Sequence, residues 1–361
     1  MIDYNASPLL GYSTGIWMKM LAANGFKVAP KHLHRALGLT AFSGVNTIMT
    51  LAEKAFFSRA VKKVKIESPP LFIIGHWRCG TTYLHELLTQ DPAHTYPNTY
   101  ECFAPTHFVF TEGWGDKLFS FVLPDQRPMD NVKVGFNRPQ EDEFALCASG
   151  LASPYRMLAF PEDPKQFSDF LDLDNMAPGL VEDWKDGLHR FFQRITYRRP
   201  GRLIVKTPGH SFRIRQLLEL YPDARFIHIV RDPYRVFPST VHLWKRLIEE
   251  WTFQNTDFEG LEELVLDVYV KLYAKLDETR SLIDDSRYFE VKYEELTADP
   301  LPLLKQAYAH LDLGDFDVAK PHVESFLQTV ADYRTNCFPP DSLKDSRVTE
   351  RWGHIVDRYG Y

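Results

Sequence analysis

Residues 71–88 read LFIIGHWRCGTTYLHELL, and this stretch decides the fold. Leu71–Ile74 form a four-residue apolar run of strand length that enters a loop framed by Gly75 and Gly80. A helical pattern follows, with Thr81 and Thr82 at its mouth. The unit is strand, loop, helix, and its physical chemistry favours anion capture. The first N–H groups of a helix have no internal partner, and the helix dipole places partial positive charge there. The two glycines let the backbone approach a phosphate without a Cβ in the way. Thr81 and Thr82 add hydroxyl donors, and Arg78 supplies a cation inside the loop.

The spacing Gly75-x4-Gly80 is that of a P-loop, but Thr81 stands where its lysine would be. This weakens a kinase or nucleotide-hydrolase reading. A second unit lies at 202–240, RLIVKTPGHSFRIRQLLELYPDARFIHIVRDPYRVFPST. Leu203–Val205 and Phe226–Val230 are strand-length runs, and Phe212, Leu217, Leu218 and Leu220 fit a helix between them. Pro233 suits the first turn of a further helix over Arg235–Glu250, which Pro238 is expected to interrupt or kink. Arg231 then closes a strand and Ser239 sits eight residues on, so both can reach one anion at the carboxyl edge of a parallel sheet.

The two segments together resemble the sulfotransferase family that uses 3′-phosphoadenosine 5′-phosphosulfate (PAPS). The first family signature is carried by Gly75-His76-Trp77-Arg78-Cys79-Gly80-Thr81-Thr82, and the second by Arg231 and Ser239. Lys206-Thr207-Pro208 and Tyr293-Glu294-Glu295-Leu296 match further landmarks, so the resemblance covers Pro69 to Asp299. Arg78, with RPQEDEFAL at 138–146, leans towards the bacterial-type and tyrosylprotein-like branch. The resemblance implies that Arg78, Cys79, Gly80, Thr81 and Thr82 hold the 5′-phosphosulfate and that Arg231 and Ser239 hold the 3′-phosphate. Cys79 replaces the usual Ser or Gly, and His76-Trp77 is bulkier than the usual pair. The C-terminal Arg-Lys-Gly element of the cytosolic enzymes is absent; Lys344, Arg347 or Arg351 is expected to substitute for it.

Sulfuryl transfer needs a base for the acceptor's proton and cations for the leaving phosphate, with no metal required. Arg78 and Lys206 are the expected cations. The position of the cytosolic enzymes' catalytic His is Pro208, whereas the tyrosylprotein and heparan branches place a Glu a little over twenty residues beyond the loop cation. Glu101, 23 residues after Arg78, is therefore the expected base. His210, His107 and the run Glu141-Asp142-Glu143 are the alternatives, the run reading more readily as solvated charge or as a ligand to Arg and backbone groups than as a base. His76 reads equally as a structural hydrogen-bonder. Aromatics crowd 96–136 (Tyr100, Phe103, Phe108, Phe110, Trp114, Phe119, Phe121, Phe136), mostly as core, with some placed to line an acceptor pocket.

Composition limits the alternatives. The chain has 361 residues, 44% of them apolar, with 42 basic and 48 acidic side chains and a net charge of −6. A general nucleic-acid binder is disfavoured; a small basic site in an acidic surface is favoured. Cys79, Cys102, Cys147 and Cys337 have no zinc or CxxC spacing and read as free thiols of a reducing compartment. Met1–Gly15 lacks a basic leader pattern, and Leu39–Ala52 is too short to span a bilayer, which points to a cytoplasmic protein. Residues 1–66 read as a helical lead segment and 67–361 as the catalytic domain. Within the lead, Leu39–Val61 has helical spacing and ends in Lys62-Lys63-Val64-Lys65; it reads as a packed helix, a lid, a dimer element or a peripheral membrane contact. Leu180–Ile195 and Leu261–Leu276 are amphipathic helices, and Tyr288–Tyr293 is a strand.

The expectation is thus an α/β, P-loop-like three-layer fold with a central parallel sheet flanked by helices. The expected acceptor is a small molecule, lipid or carbohydrate bearing a hydroxyl or amine. A catalytically inactive nucleotide-binding scaffold is the non-enzymatic alternative.

Overall fold

The computed structural model describes residues 7–115, 135–162, 165–331 and 345–361. Five strands form one sheet: β1 (Leu71–Ile74), β2 (His94–Thr95), β3 (Arg202–Lys206), β4 (Arg225–Val230) and β5 (Tyr288–Lys292). Their order is β2-β3-β1-β4-β5, and every pairing is parallel. The central strands explain their own composition: LFII is buried at all four positions, as expected for a parallel sheet covered on both faces. The register sets Ile73 of β1 beside Lys206 of β3, and Ile74 beside His228 of β4. The chain leaves β1 between neighbours on either side, so the sheet's switch point falls at the glycine loop. Open α/β sheets bind ligands at such points, beyond the carboxyl ends of the strands.

The helices follow the apolar spacing and exceed it at their ends. The lead helix runs Leu33–Val61, starting six residues before the expected Leu39, and the amphipathic pair run Pro178–Arg198 and Leu261–Thr279. The strand expected over Tyr288–Tyr293 stops at Lys292, and Tyr293 opens a helix, Tyr293–Ala298. Pro238 does not break its helix, which is continuous over Pro233–Trp251. As the sixth residue of that helix, Pro238 removes only the N–H bond to the Tyr234 carbonyl. The helix expected from Phe212 is divided into a 3-10 turn, Pro208–Phe212, and a helix, Ile214–Leu220.

The chain divides into two compact units. One comprises Ser68–Tyr96, Gly201–Trp244 and Glu259–Tyr361 and contains the whole sheet. The other comprises Met1–Glu67, Pro97–Pro200 and Lys245–Phe258. It is helical among its described residues, with a core around Trp17, whose indole N–H is donated to Thr40 Oγ1 at 2.8 Å and whose ring meets Phe160 and Phe253.

Candidate functional site

The glycine loop is fixed at both ends. At its entry, the Gly75 N–H is donated to Ser211 Oγ at 2.9 Å, and the same hydroxyl returns a 3.3 Å bond to the Gly75 carbonyl. A Cβ on Gly75 would stand 2.5 Å from the Ile229 carbonyl oxygen, so only glycine lets the loop leave β1 this close to β4. At its exit, Gly80 has φ +96° and caps the helix Thr81–Leu88 with no side chain on its first amides. Those orphan donors at the positive end of the dipole are the chemistry expected for an anion. Arg78 itself is left-handed, with φ +69°. Strain of that sort persists only where surrounding contacts determine it.

Those contacts bring the two sequence signatures together. Arg78 Nε donates to Ser239 Oγ at 2.8 Å, and Arg231 Nη1 donates to the Arg78 carbonyl at 2.9 Å. The Arg231 guanidinium lies 4.2 Å over the Tyr293 ring, and that ring fills the space where a Cβ on Gly80 would be, 2.2 Å from such an atom. A stacked guanidinium over an aromatic face is an attractive arrangement. One donor of this network is uncommitted: Arg231 Nε is buried and has no hydrogen-bond partner among the described residues. A buried unpaired N–H costs free energy, and a phosphate oxygen is the partner that suits an Arg fork. Lys206 ends β3 beside Ile73 of β1 and is buried. The N–H of Asp232 is donated to Glu294, which also accepts from the Tyr361 hydroxyl.

Other sequence candidates fall differently. The Cys79 side chain is fully buried, and burial pushes its thiol up to about 12, so it stays protonated and offers no reactive group. His76 is buried too, its Nδ1 bonded to the Trp77 carbonyl, and burial pulls it down to about 4; its role is to hold the loop. His210 packs edge-on against Phe72. Arg347 and Arg351 do not stand free as substitutes for the missing C-terminal element. Arg347 bonds Asp345 and Glu262, and Arg351 bonds Glu263 and Asp267. Lys344, Cys337, Phe119 and Phe121 lie outside the described residues. Sequence reasoning missed Ser211, whose signal was only a hydroxyl three residues after Pro208, in a turn whose backbone path the sequence does not specify.

Glu101, His107 and the run Glu141-Asp142-Glu143 lie in the helical unit, and His210 lies in the unit that holds the sheet. Glu101 is fully buried at the start of the helix Thr99–Phe103. It forms a capping box: its Oε2 accepts from Asn98 N–H at 2.9 Å, and its own N–H is donated to Asn98 Oδ1 at 2.8 Å. Arg199 Nη2 also donates to Oε2, at 2.8 Å. Oε1 has no hydrogen-bond partner among the described residues. Burial raises the carboxyl to about 7 against the opposing pull of Arg199. His107 instead bonds Thr111 and Asn46, and burial lowers it to about 4. The run Glu141-Asp142-Glu143 is not solvated: Asp142 and Glu143 are buried, and Glu141 accepts a short bond from the Tyr155 hydroxyl. These carboxylates open the helix Asp142–Ala148, where its dipole favours negative charge. Of the aromatics, Tyr100 and Phe108 are core, and Trp114 is exposed.

Residues 69–317 match the model of the sulfotransferase family, Sulfotransfer_3. The chain belongs to the sulfotransferase family. It is 46% identical over 357 residues to the omega-hydroxy-beta-dihydromenaquinone-9 sulfotransferase Stf3 of Mycobacterium bovis and of Mycobacterium tuberculosis, covering 99% of this chain and 92% of each relative. Among solved structures, sulfotransferase STF9 from Mycobacterium avium superposes with a TM-score of 0.73 at 22% identity, covering 92% of this chain and 86% of that one. STF1 from Mycobacterium tuberculosis gives 0.68 at 21%, covering 94% and 90%. At those identities the two structures bear on fold, and they agree with the parallel sheet and its flanking helices. This sulfotransferase is therefore an enzyme of sulfuryl transfer. Among its described residues no helix is long and apolar enough to cross a membrane, and no group of three or more His, Cys, Asp or Glu is placed to hold a metal ion.

Proposed function

We propose that this sulfotransferase moves the sulfuryl group of PAPS to a hydroxyl on a lipid acceptor of the isoprenoid-quinol class. The observation that carries the donor half is Arg231: one prong of its fork holds the Arg78 carbonyl, its face lies on Tyr293, and its buried Nε lacks a hydrogen-bond partner among the described residues. In this reading Arg231 and Ser239 take the 3′-phosphate. Arg78, Gly80, Thr81, Thr82 and the backbone N–H of Cys79 take the 5′-phosphosulfate. Arg78 and Lys206 then meet the negative charge that builds on the bridging oxygen as the sulfur–oxygen bond to the phosphate breaks. Glu101 Oε1, which has no hydrogen-bond partner among the described residues and belongs to a carboxyl raised to about 7, takes the acceptor's proton as the new oxygen–sulfur bond forms. Adenosine 3′,5′-bisphosphate leaves, and the acceptor becomes a sulfate ester.

The acceptor class rests on the relative at 46% identity, whose name specifies an omega-hydroxylated dihydromenaquinone. The start of the family match at residue 69 supports residues 67–361 as the catalytic domain and 1–66 as its helical lead. We also place the protein in the cytoplasm, a reading supported by Cys79 and Cys147, buried thiols that form no disulfide. The test supplies sulfur-labelled PAPS and an omega-hydroxylated prenyl quinol. Label is expected in the lipid fraction as an alkyl sulfate. Turnover of simple sugars or phenols with none of the quinol would refute the acceptor class.

A further inference from the structure

The helix Leu33–Val61 is apolar on two faces, and the core uses only one of them. Ala36, Leu39, Ser43, Asn46, Glu53 and Val61 are buried. Leu33, Leu37, Val45, Ile48, Leu51 and Phe56 are between 41% and 74% exposed. At about 100° per residue these six lie within an arc of roughly 140°. No charged residue falls on that arc between Leu37 and Phe56. Scattered exposed apolar side chains are ordinary, but a contiguous stripe this long marks an interaction surface.

Charge identifies the partner. Between residues 7 and 66 there are nine Lys and Arg and a single acidic residue, Glu53, in a chain whose totals are 42 basic and 48 acidic. Glu53 is buried against Arg194 at 2.8 Å, so the exposed surface of this segment carries no carboxylate. Lys54, Lys62, Lys63 and Lys65 are exposed on or just beyond the same helix, and Lys19, Lys27 and Lys31 are exposed on the segment that precedes it. An apolar stripe bordered by cations in an otherwise acidic chain is complementary to an anionic bilayer surface. A helix that lies in the interface needs no spanning length.

We propose that the outer face of Leu33–Val61 docks this protein peripherally on anionic membranes, its apolar arc at the acyl boundary and its lysines among the head groups. This goes beyond the acceptor reading, since it assigns a surface that contains none of the donor-binding residues. The test is co-sedimentation of the full chain with vesicles of phosphatidylcholine alone and of equal parts phosphatidylcholine and phosphatidylglycerol. The wild type should sediment with the anionic vesicles and be released by high salt. Leu37→Asp with Ile48→Asp should lower the partition coefficient about a hundredfold, since each such side chain carried out of water contributes roughly a factor of ten. Lys62→Glu with Lys63→Glu, which leaves the apolar arc intact, should weaken binding roughly fivefold or more per lysine on anionic vesicles alone. Circular dichroism and melting of both variants should match the wild type. Failure to sediment, or sedimentation indifferent to both variants, overturns the proposal. So does a solution dimer split by the Leu37/Ile48 pair, which would assign the face to a second copy. The assay contains neither donor nor acceptor, so its failure leaves the sulfotransfer reading standing.

Discussion

Replacing Glu101 with Gln separates a catalytic carboxylate from a structural one, because the local geometry lets Gln keep most of the structure. Glu101 Oε2 accepts from Asn98 N–H and from Arg199, and a Gln carbonyl can accept both. Capping boxes use Glu and Gln alike. The amide NH2 would replace Oε1, which has no partner to lose among the described residues. Against that gain, one buried donor is left unpaired and the ion pair with Arg199 becomes a neutral hydrogen bond, at about 1–3 kcal/mol. Relief of the burial penalty that raises this carboxyl to about 7 offsets much of it. The expected stability change for Glu101→Gln is therefore within about 1 kcal/mol, while Glu101→Ala, which leaves the Asn98 N–H and Arg199 without this acceptor, should lose about 1–3 kcal/mol. Turnover should behave otherwise. Losing a general base lowers kcat by about 10²–10⁴ with donor affinity nearly unchanged. In the wild type kcat should rise with pH through about 7, because the base acts when deprotonated, and that limb should vanish in Glu101→Gln. Stability has the opposite sign. A carboxyl raised on folding favours the folded state while protonated, so its contribution is full below its unfolded value of 4.5 and is lost as pH rises through about 7. The assay is steady-state sulfuryl transfer across pH beside thermal melts. A Glu101→Gln enzyme with wild-type turnover and an unchanged pH limb would refute the assignment, and His210→Ala or Glu143→Gln would then be the variants to examine.

Three further outcomes follow from the same geometry. Arg231→Ala should weaken adenosine 3′,5′-bisphosphate binding about ten- to a hundred-fold, the worth of a charged hydrogen bond to phosphate, and affect 5′-AMP far less; equal losses in a titration would remove Arg231 from the 3′-phosphate. Gly80→Ala should cost about 1–3 kcal/mol for a side chain at φ +96°, and its Cβ should push the Tyr293 ring off Arg231, so bisphosphate affinity falls with melting temperature; unchanged affinity would refute the role given to that ring. Activity should survive EDTA, since Arg78, Lys206 and a helix N-terminus supply the positive charge; loss on chelation with recovery by Mg²⁺ would favour nucleotide chemistry instead.

The central strands β1, β3 and β4 were legible because they are buried on both faces, and runs such as LFII and FIHIV leave no alternative period to weigh; the two-residue β2, His94–Thr95, is too short to carry such a signal. The two signature segments were legible because each sits where a strand ends, a position that hydrophobic patterning locates to within a residue or two. Their junction was less so. That Arg231 holds the Arg78 carbonyl, and that the Tyr293 ring occupies the space beside Gly80, depends on side chains more than fifty residues apart in sequence meeting at one sheet edge. The run Glu141-Asp142-Glu143 misled because exposed charge is the usual state; here a helix start and neighbouring partners carry it into the interior. Pro238 misled for a similar reason, since a proline in the second turn of a helix removes a single hydrogen bond that the flanking apolar contacts outweigh.

The central claim is that the glycine loop and the arginine after β4 hold a 3′-phosphorylated sulfuryl donor rather than a nucleoside triphosphate. Calorimetric titration of the wild-type protein with adenosine 3′,5′-bisphosphate, with 5′-AMP and with ATP plus Mg²⁺ tests it most directly. The account predicts that the bisphosphate binds about ten- to a hundred-fold more tightly than 5′-AMP, the worth of the additional charged hydrogen bonds to its 3′-phosphate, and that Mg²⁺ does not alter it. Tight, Mg²⁺-dependent binding of ATP with no preference for the 3′-phosphate would contradict it.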